Sequence, residues 1–211
     1  MVDALRQIAE LGGPVVLMLL VISVLTATVV LLKLWQMRVA HVGQHRALKT
    51  ALELWDMGDI AGAKAQVSRS RSYLKQLVSM AMQDGSDSDR LHAEAETRFA
   101  RLEGGFRFLD TVSQLSPLLG LFGTVLGMIS AFQALQDAGA QVDPQILAGG
   151  IWVALMTTAV GLAVAMPTSL VLSWFEGRMD AERVFAERAL QTILNPSRDN
   201  SAEMVQTRNA A

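Results

Sequence analysis

Between Ser116 and Ala165 the chain carries two apolar stretches, SPLLGLFGTVLGMISAFQALQ and GGIWVALMTTAVGLAVA, separated by a short acidic loop. Small and hydroxyl residues recur in both at the same spacing of 4, 4, 3 and 4. In the first they are Ser116, Gly120, Thr124, Gly127 and Ala131; in the second, Gly150, Ala154, Thr158, Gly161 and Ala165. At about 100° per residue, each set keeps within roughly 80° of one helix face. Lipid supplies no hydrophobic drive for helices to associate. A small stripe on a Leu/Met/Val/Phe helix therefore reads as a close-packing surface inside a bilayer, and the fold class it implies is an all-α integral membrane protein.

The rest of the chain agrees. Residues 1–13 form a short polar start, read as a periplasmic N-terminus. Residues 14–34 are expected to form a first transmembrane helix, since Val15 to Leu32 is an uninterrupted apolar run, long enough to cross a hydrocarbon core of about 30 Å. The flank before it is not basic and no A-x-A site follows, so it reads as a retained helix rather than a cleaved leader. Residues 35–109 are polar, with nine acids interspersed among Lys and Arg, and with apolar residues at helical spacing, as in Leu48, Leu52 and Trp55. They are expected to form a small strandless domain continuous with the next span, weakened at Gly104-Gly105.

A second transmembrane helix is expected over 110–135, a periplasmic loop over 136–143 and a third transmembrane helix over 144–175. Asp143-Pro144 starts that helix and Pro167 should kink it. Residues 176–194 read as an amphipathic continuation into water, and 195–211 as a disordered tail. One three-helix monomer is not expected to cover both small stripes, which predicts a homo-oligomer. The helix-packing residues are then Gly120, Gly127, Gly150, Ala154 and Gly161.

Lys33, Arg38, Arg101, Arg107, Arg178 and Arg183 flank one side of the spans, whereas the 136–143 loop has no Lys or Arg. The positive-inside rule puts the N-terminus and that loop in the periplasm, and the 35–109 domain and the C-terminus in the cytoplasm.

Charged residues make up 18% of the chain, against about 25% in soluble proteins. There is no basic patch interleaved with aromatics, so nucleic acid is not an expected partner. No cysteine is present. HVGQH (His41, His45) lacks the glutamate of HExxH and reads as interfacial rather than metal-binding; GLFGTVLG is neither GxGxxG nor a P-loop. No nucleophile, base and orienter stand together in the spans, so neither an enzyme, a cofactor nor a metal site is expected.

Between Thr111 and Phe175 the only ionisable side chains are Asp137 and Asp143, both in the outer loop. The helices offer hydroxyls instead: Ser116, Thr124, Ser130, Thr157 and Thr158. Ser130 and Thr157 read as bonding their own helix. Thr124 and Thr158 either do the same or, at matched places on two stripes, line one polar seam.

SPLLGLFGTVLGMISAF, the acidic loop and LAGGIWVALMTTAVGLAVAMP together resemble the MotA/TolQ/ExbB proton channel family, in its ExbB/TolQ branch. The resemblance implies three transmembrane helices, the second and third extended into a cytoplasmic helical domain. It further implies a pentameric pore lined by those two helices and occupied by single-span ExbD/TolR-like partners, each bringing an aspartate. The implied function is to use proton-motive force to energise TonB-dependent outer-membrane transport or the Tol envelope system, through a TonB/TolA-like protein in the bacterial inner membrane.

The family's pore threonines fall on Thr124 and Thr158. ExbB and TolQ proteins usually carry a glutamate where this chain has Val153, also assigned to the pore. Either this pore is divergent or engineered, or this branch uses only the partner's aspartate. A MotA-like stator and a non-conducting scaffold are the other readings.

Overall fold

A computed structural model describes residues 2–83, 85, 87–137 and 144–196, with backbone alone at 2–12, 144 and 146. Among the described residues there are seven α-helices and no strand: α1 (Val2–Val39), α2 (Arg46–Asp56), α3 (Ile60–Arg69), α4 (Lys75–Ala81), α5 (Ser88–Glu103), α6 (Phe106–Asp137) and α7 (Pro144–Leu194). Most of the 136–143 loop, with the expected Asp143 cap, and the tail after residue 196 lie outside them.

Three helical stretches are long and apolar enough to cross a membrane: Gly13–Val39, Phe106–Asp137 and Leu147–Leu194. α1 is two helices joined at Gly13, whose φ of 66° favours glycine; Pro14 then opens the apolar part. α7 runs for 51 residues and continues through Pro167 without a break. At 1.5 Å per residue it is roughly 75 Å long, more than twice a hydrocarbon core, so it must project into water.

The second span departs from expectation. α5 and α6 are separate helices, because Gly104 is extended (ψ 124°) and Gly105 takes φ 96°. The second span therefore starts afresh at Phe106, and only the third is extended as one helix into the polar domain.

The chain divides into two compact units: Met1–Leu31 with Gly105–Phe175, and Leu32–Gly104 with Glu176–Ala211. In the second, α2 buries Leu48, Ala51, Leu52 and Trp55, one helical face. Asp59 caps α3 by accepting from the Gly62 N–H at 2.8 Å, and Asp87 caps α5 by accepting from the Asp89 N–H at 3.0 Å. α5 buries Leu91, Ala95, Phe99 and Leu102. The end of α7 contributes Met179, Ala186, Leu190 and Ile193 to the same core, and Trp55 Nε1 donates to the Ile193 carbonyl at 3.2 Å.

A polar cluster lies inside this unit. Glu182 is 2% exposed, and its carboxylate lies 2.8 Å from His45 Nε2. His45 Nδ1 is 3.2 Å from Ser72 Oγ, and the ring stacks on Phe185 at 4.3 Å. Arg178 donates to the Val42 carbonyl at 3.2 Å and packs on Gly43, whose φ of 83° and contact with the guanidinium leave no place for a side chain. Arg183 pairs with Glu103 at 2.6 Å and Glu96 at 3.4 Å. His45 is thus a buried tie between the α1–α2 turn and α7, not the interfacial residue its position beside the first span implied.

The Tyr73 hydroxyl is buried without a well-formed hydrogen bond. Burial first, and then the Glu182 charge, push its pKa well above the ordinary value. Tyr73 is the chain's only tyrosine, so ultraviolet absorbance follows it alone. It should ionise well above the usual value of about 10. The unfolded chain gives up this proton first, so the domain loses stability as pH rises past about 10. Glu182→Gln should lower the midpoint part of the way, with burial still holding it up; an unchanged midpoint would mean Glu182 does not act on Tyr73.

Candidate functional site

In the first unit, α6 and α7 meet along their small residues. A Cβ on Gly127 would lie 3.1 Å from Ala154 Cβ, one on Gly120 would lie 3.0 Å from the Thr157 carbonyl and Thr158 Cα, and one on Gly161 would lie 2.5 Å from the Ser116 carbonyl. One on Gly150 would run into Ala131 Cβ. Contacts that climb α6 descend α7, so the helices are antiparallel. Their backbones approach closely enough for extensive dispersion contact, which is what holds helices together in lipid.

Much of each stripe therefore meets the other within one chain, in an antiparallel hairpin. Thr124, Gly127, Gly150 and Thr158 remain only half-buried there.

Thr157 is buried at the centre of this seam. Its Oγ1 has one proton, directed to the Ala154 carbonyl at 2.7 Å with the Gly120 carbonyl of α6 at 3.1 Å. It does more than bond its own helix. A Cβ on Gly123 would lie 2.7 Å from this Oγ1, so Gly123 makes room for the threonine. Gly123 is absent from the 4, 4, 3, 4 stripe, although its three-residue offset from Gly120 marks the same face. Ser116 Oγ is buried in the seam without a partner among the described residues.

Thr124 and Thr158 lie beside the seam, half-buried. Thr124 Oγ1 donates to the Leu121 carbonyl at 2.6 Å. At about 100° per residue, Thr124 lies roughly 80° round α6 from Ser116, and Thr158 roughly 60° round α7 from Gly161, in the same rotational sense. In an antiparallel pair, equal senses put both threonines on one flank. Leu121 and Leu155, 58% and 62% exposed, adjoin them.

Val153 lies roughly 80° round α7 from Gly161 in the opposite sense, hence on the other flank. There it lines a pocket with Gly13, Pro14 and Val15 of α1. The structure does not bring it to the threonines, because five residues along a helix turn a side chain through about 140°. At the start of α6, Asp110 accepts from Gln114 Nε2 at 2.7 Å and forms no ion pair with Arg107.

These features define a multi-pass, all-α membrane protein whose last two spans form a glycine-packed hairpin with a hydroxyl-bearing flank. Residues 63–188 match the MotA/TolQ/ExbB proton channel family, and the chain belongs to it. It is 28% identical to biopolymer transport protein exbB1 of Vibrio cholerae over 173 residues, 78% of this chain and 76% of that one. It is 28% identical to the biopolymer transport protein ExbB homolog of Methanothermobacter thermautotrophicus over 177 residues, 81% of this chain and 62% of that one. The Tol-Pal system protein TolQ of Haemophilus influenzae is 44% identical over 80 residues, 38% of this chain and 35% of that one. These relatives put the chain in the ExbB/TolQ branch of a transport and channel family.

Thr157→Val keeps the side chain's shape and removes its hydroxyl. It should cost about 0.6 kcal/mol, the average for hydrogen bonds between membrane helices, and no more than about 1.7 kcal/mol. Gly161→Leu should be far worse, because its side chain would enter the α6 backbone. Thermal unfolding of the purified protein in detergent ranks the two; a harmless Gly161→Leu would refute the observed packing.

Proposed function

We propose that this chain is the channel subunit of a motor in the bacterial inner membrane driven by proton-motive force. Several copies, five by family resemblance, turn the Thr124/Thr158 flank of α6 and α7 toward a shared pore. A single-span ExbD/TolR-like partner in that pore brings the carboxylate that carries the proton. The motor then acts through a TonB/TolA-like protein on outer-membrane transport or envelope maintenance.

The observation that carries this reading is that both threonines share one flank of a hairpin whose other flank faces α1. Nothing ionisable stands in α6 or α7 between Thr111 and Phe175 other than Asp137, so a carboxylate at mid-membrane must come from elsewhere. A proton crossing the membrane releases about 2.3 kcal/mol per 100 mV, enough to drive a helix movement. The hydroxyls hold that carboxylate, or the water that delivers its proton.

Thr124→Val and Thr158→Val, together, should leave the complex intact and abolish most proton-driven uptake. Full uptake in an intact double variant would reduce both residues to caps on their own helices. Val153→Glu should leave proton flux unchanged, because that side chain lies on the α1 flank; a rise in flux would show that the pore uses this position.

The orientation proposed from the Lys/Arg bias has the N-terminus and the α6–α7 connection periplasmic. A lone cysteine at Gly139 should react with an impermeant thiol reagent in intact cells, and one at the exposed Met57 should react only after lysis. The opposite labelling pattern reverses the topology.

A further inference from the structure

The pocket beside Val153 has a volume of about 320 Å³ and lies between α1, α6 and α7. Its walls are mostly glycine and alanine, with Pro14, Leu126 and Val153 among the larger residues. A Cβ at Gly149 would meet nothing within 4 Å, so the space extends directly over that backbone. The pocket adjoins the first residues of the α1 span, the first turns of α7 and the second half of α6 from Gly123 to Ala134, so it reaches from one end of the spans toward their middle.

Its lining narrows the choice of occupant. Among the described residues no ionisable side chain lines it, so none of them gives a headgroup or an ion a counter-charge there. A buried water needs two to four polar partners, and among the described residues Ser130 offers the one side-chain hydroxyl. An apolar cavity of about 150 Å³ is already large enough to take up benzene, and this one is about twice that size. Leu17, Met18 and Val21, about half exposed, follow Pro14 and Val15 along α1, so the pocket is continuous with the surface that faces lipid.

We propose that the pocket is a lipid site that holds one acyl chain of a phospholipid from the leaflet in which the α1 span begins. The chain replaces the side chains that the glycines and alanines lack, and fills the space between α1 and the α6–α7 hairpin. Dispersion contact rather than escape from water holds it there, since its alternative surroundings are other acyl chains. The site lies on the flank away from Thr124 and Thr158 and is separate from the proposed pore.

The test uses the full-length protein, in its purified assembly, in liposomes of phosphatidylethanolamine and phosphatidylglycerol. These are doped with a phosphatidylethanolamine that carries a diazirine near the end of one acyl chain. After illumination, label should concentrate on peptides spanning 123–134 and 149–153. Gly149→Phe fills the space and should abolish that label while labelling at Leu17, Met18 and Val21 persists; Gly149→Ala should keep it. Ala134→Phe fills the pocket from α6 and serves if Gly149→Phe does not assemble. Label spread evenly over the lipid-facing surface, or unchanged in both filled variants, overturns the proposal. So does a pocket left unlabelled because a neighbouring copy occupies it.

Discussion

Close backbone approach between α6 and α7 is the constraint on which the membrane part depends. Gly120, Gly127, Gly150 and Gly161 face backbone or Cβ atoms of the opposite helix at distances that leave no room for a larger side chain. In water such a surface is weak, because glycine buries little apolar area. In lipid it is effective, because packing density rather than area decides which helices associate. The seam also sets the rotation of both helices, and rotation decides which side chain faces which flank. Thr157 goes inward, Thr124 and Thr158 go to one side, and Val153 goes to the other.

The two units use polar groups in opposite ways. Where α6 and α7 pack together, the polar side chains are hydroxyls, most of which can return a hydrogen bond to a nearby backbone carbonyl and so carry little cost in lipid. The polar domain instead buries the His45–Glu182 pair and engages Arg178 and Arg183 with the α1–α2 turn and α5. Basic residues that read as orientation signals are thus structural as well. α7 contributes to both units as one helix, so a movement of its membrane portion has a covalent route into the domain core.

The all-helical class, the three candidate spans and the family were legible in the sequence because each rests on local pattern: hydropathy over one span's length, or a motif within one stretch. The break at Gly104-Gly105 was legible as a weakness, but whether a helix passes through two glycines depends on the packing at either side. The burial of His45 left no local trace, since its partner Glu182 is 137 residues away.

The sequence by itself determined that two small-residue stripes exist, that they match in spacing and that no acid accompanies them in the spans between Thr111 and Phe175. Tertiary structure alone decided that the stripes mate with each other in one chain, that Gly123 makes room for Thr157, and that Val153 parts company with Thr158. The physical reason is that spacing fixes the angle between residues on one helix but not the angle of that helix to its neighbours. The second angle follows from which backbones can approach most closely, and that is a property of the pair.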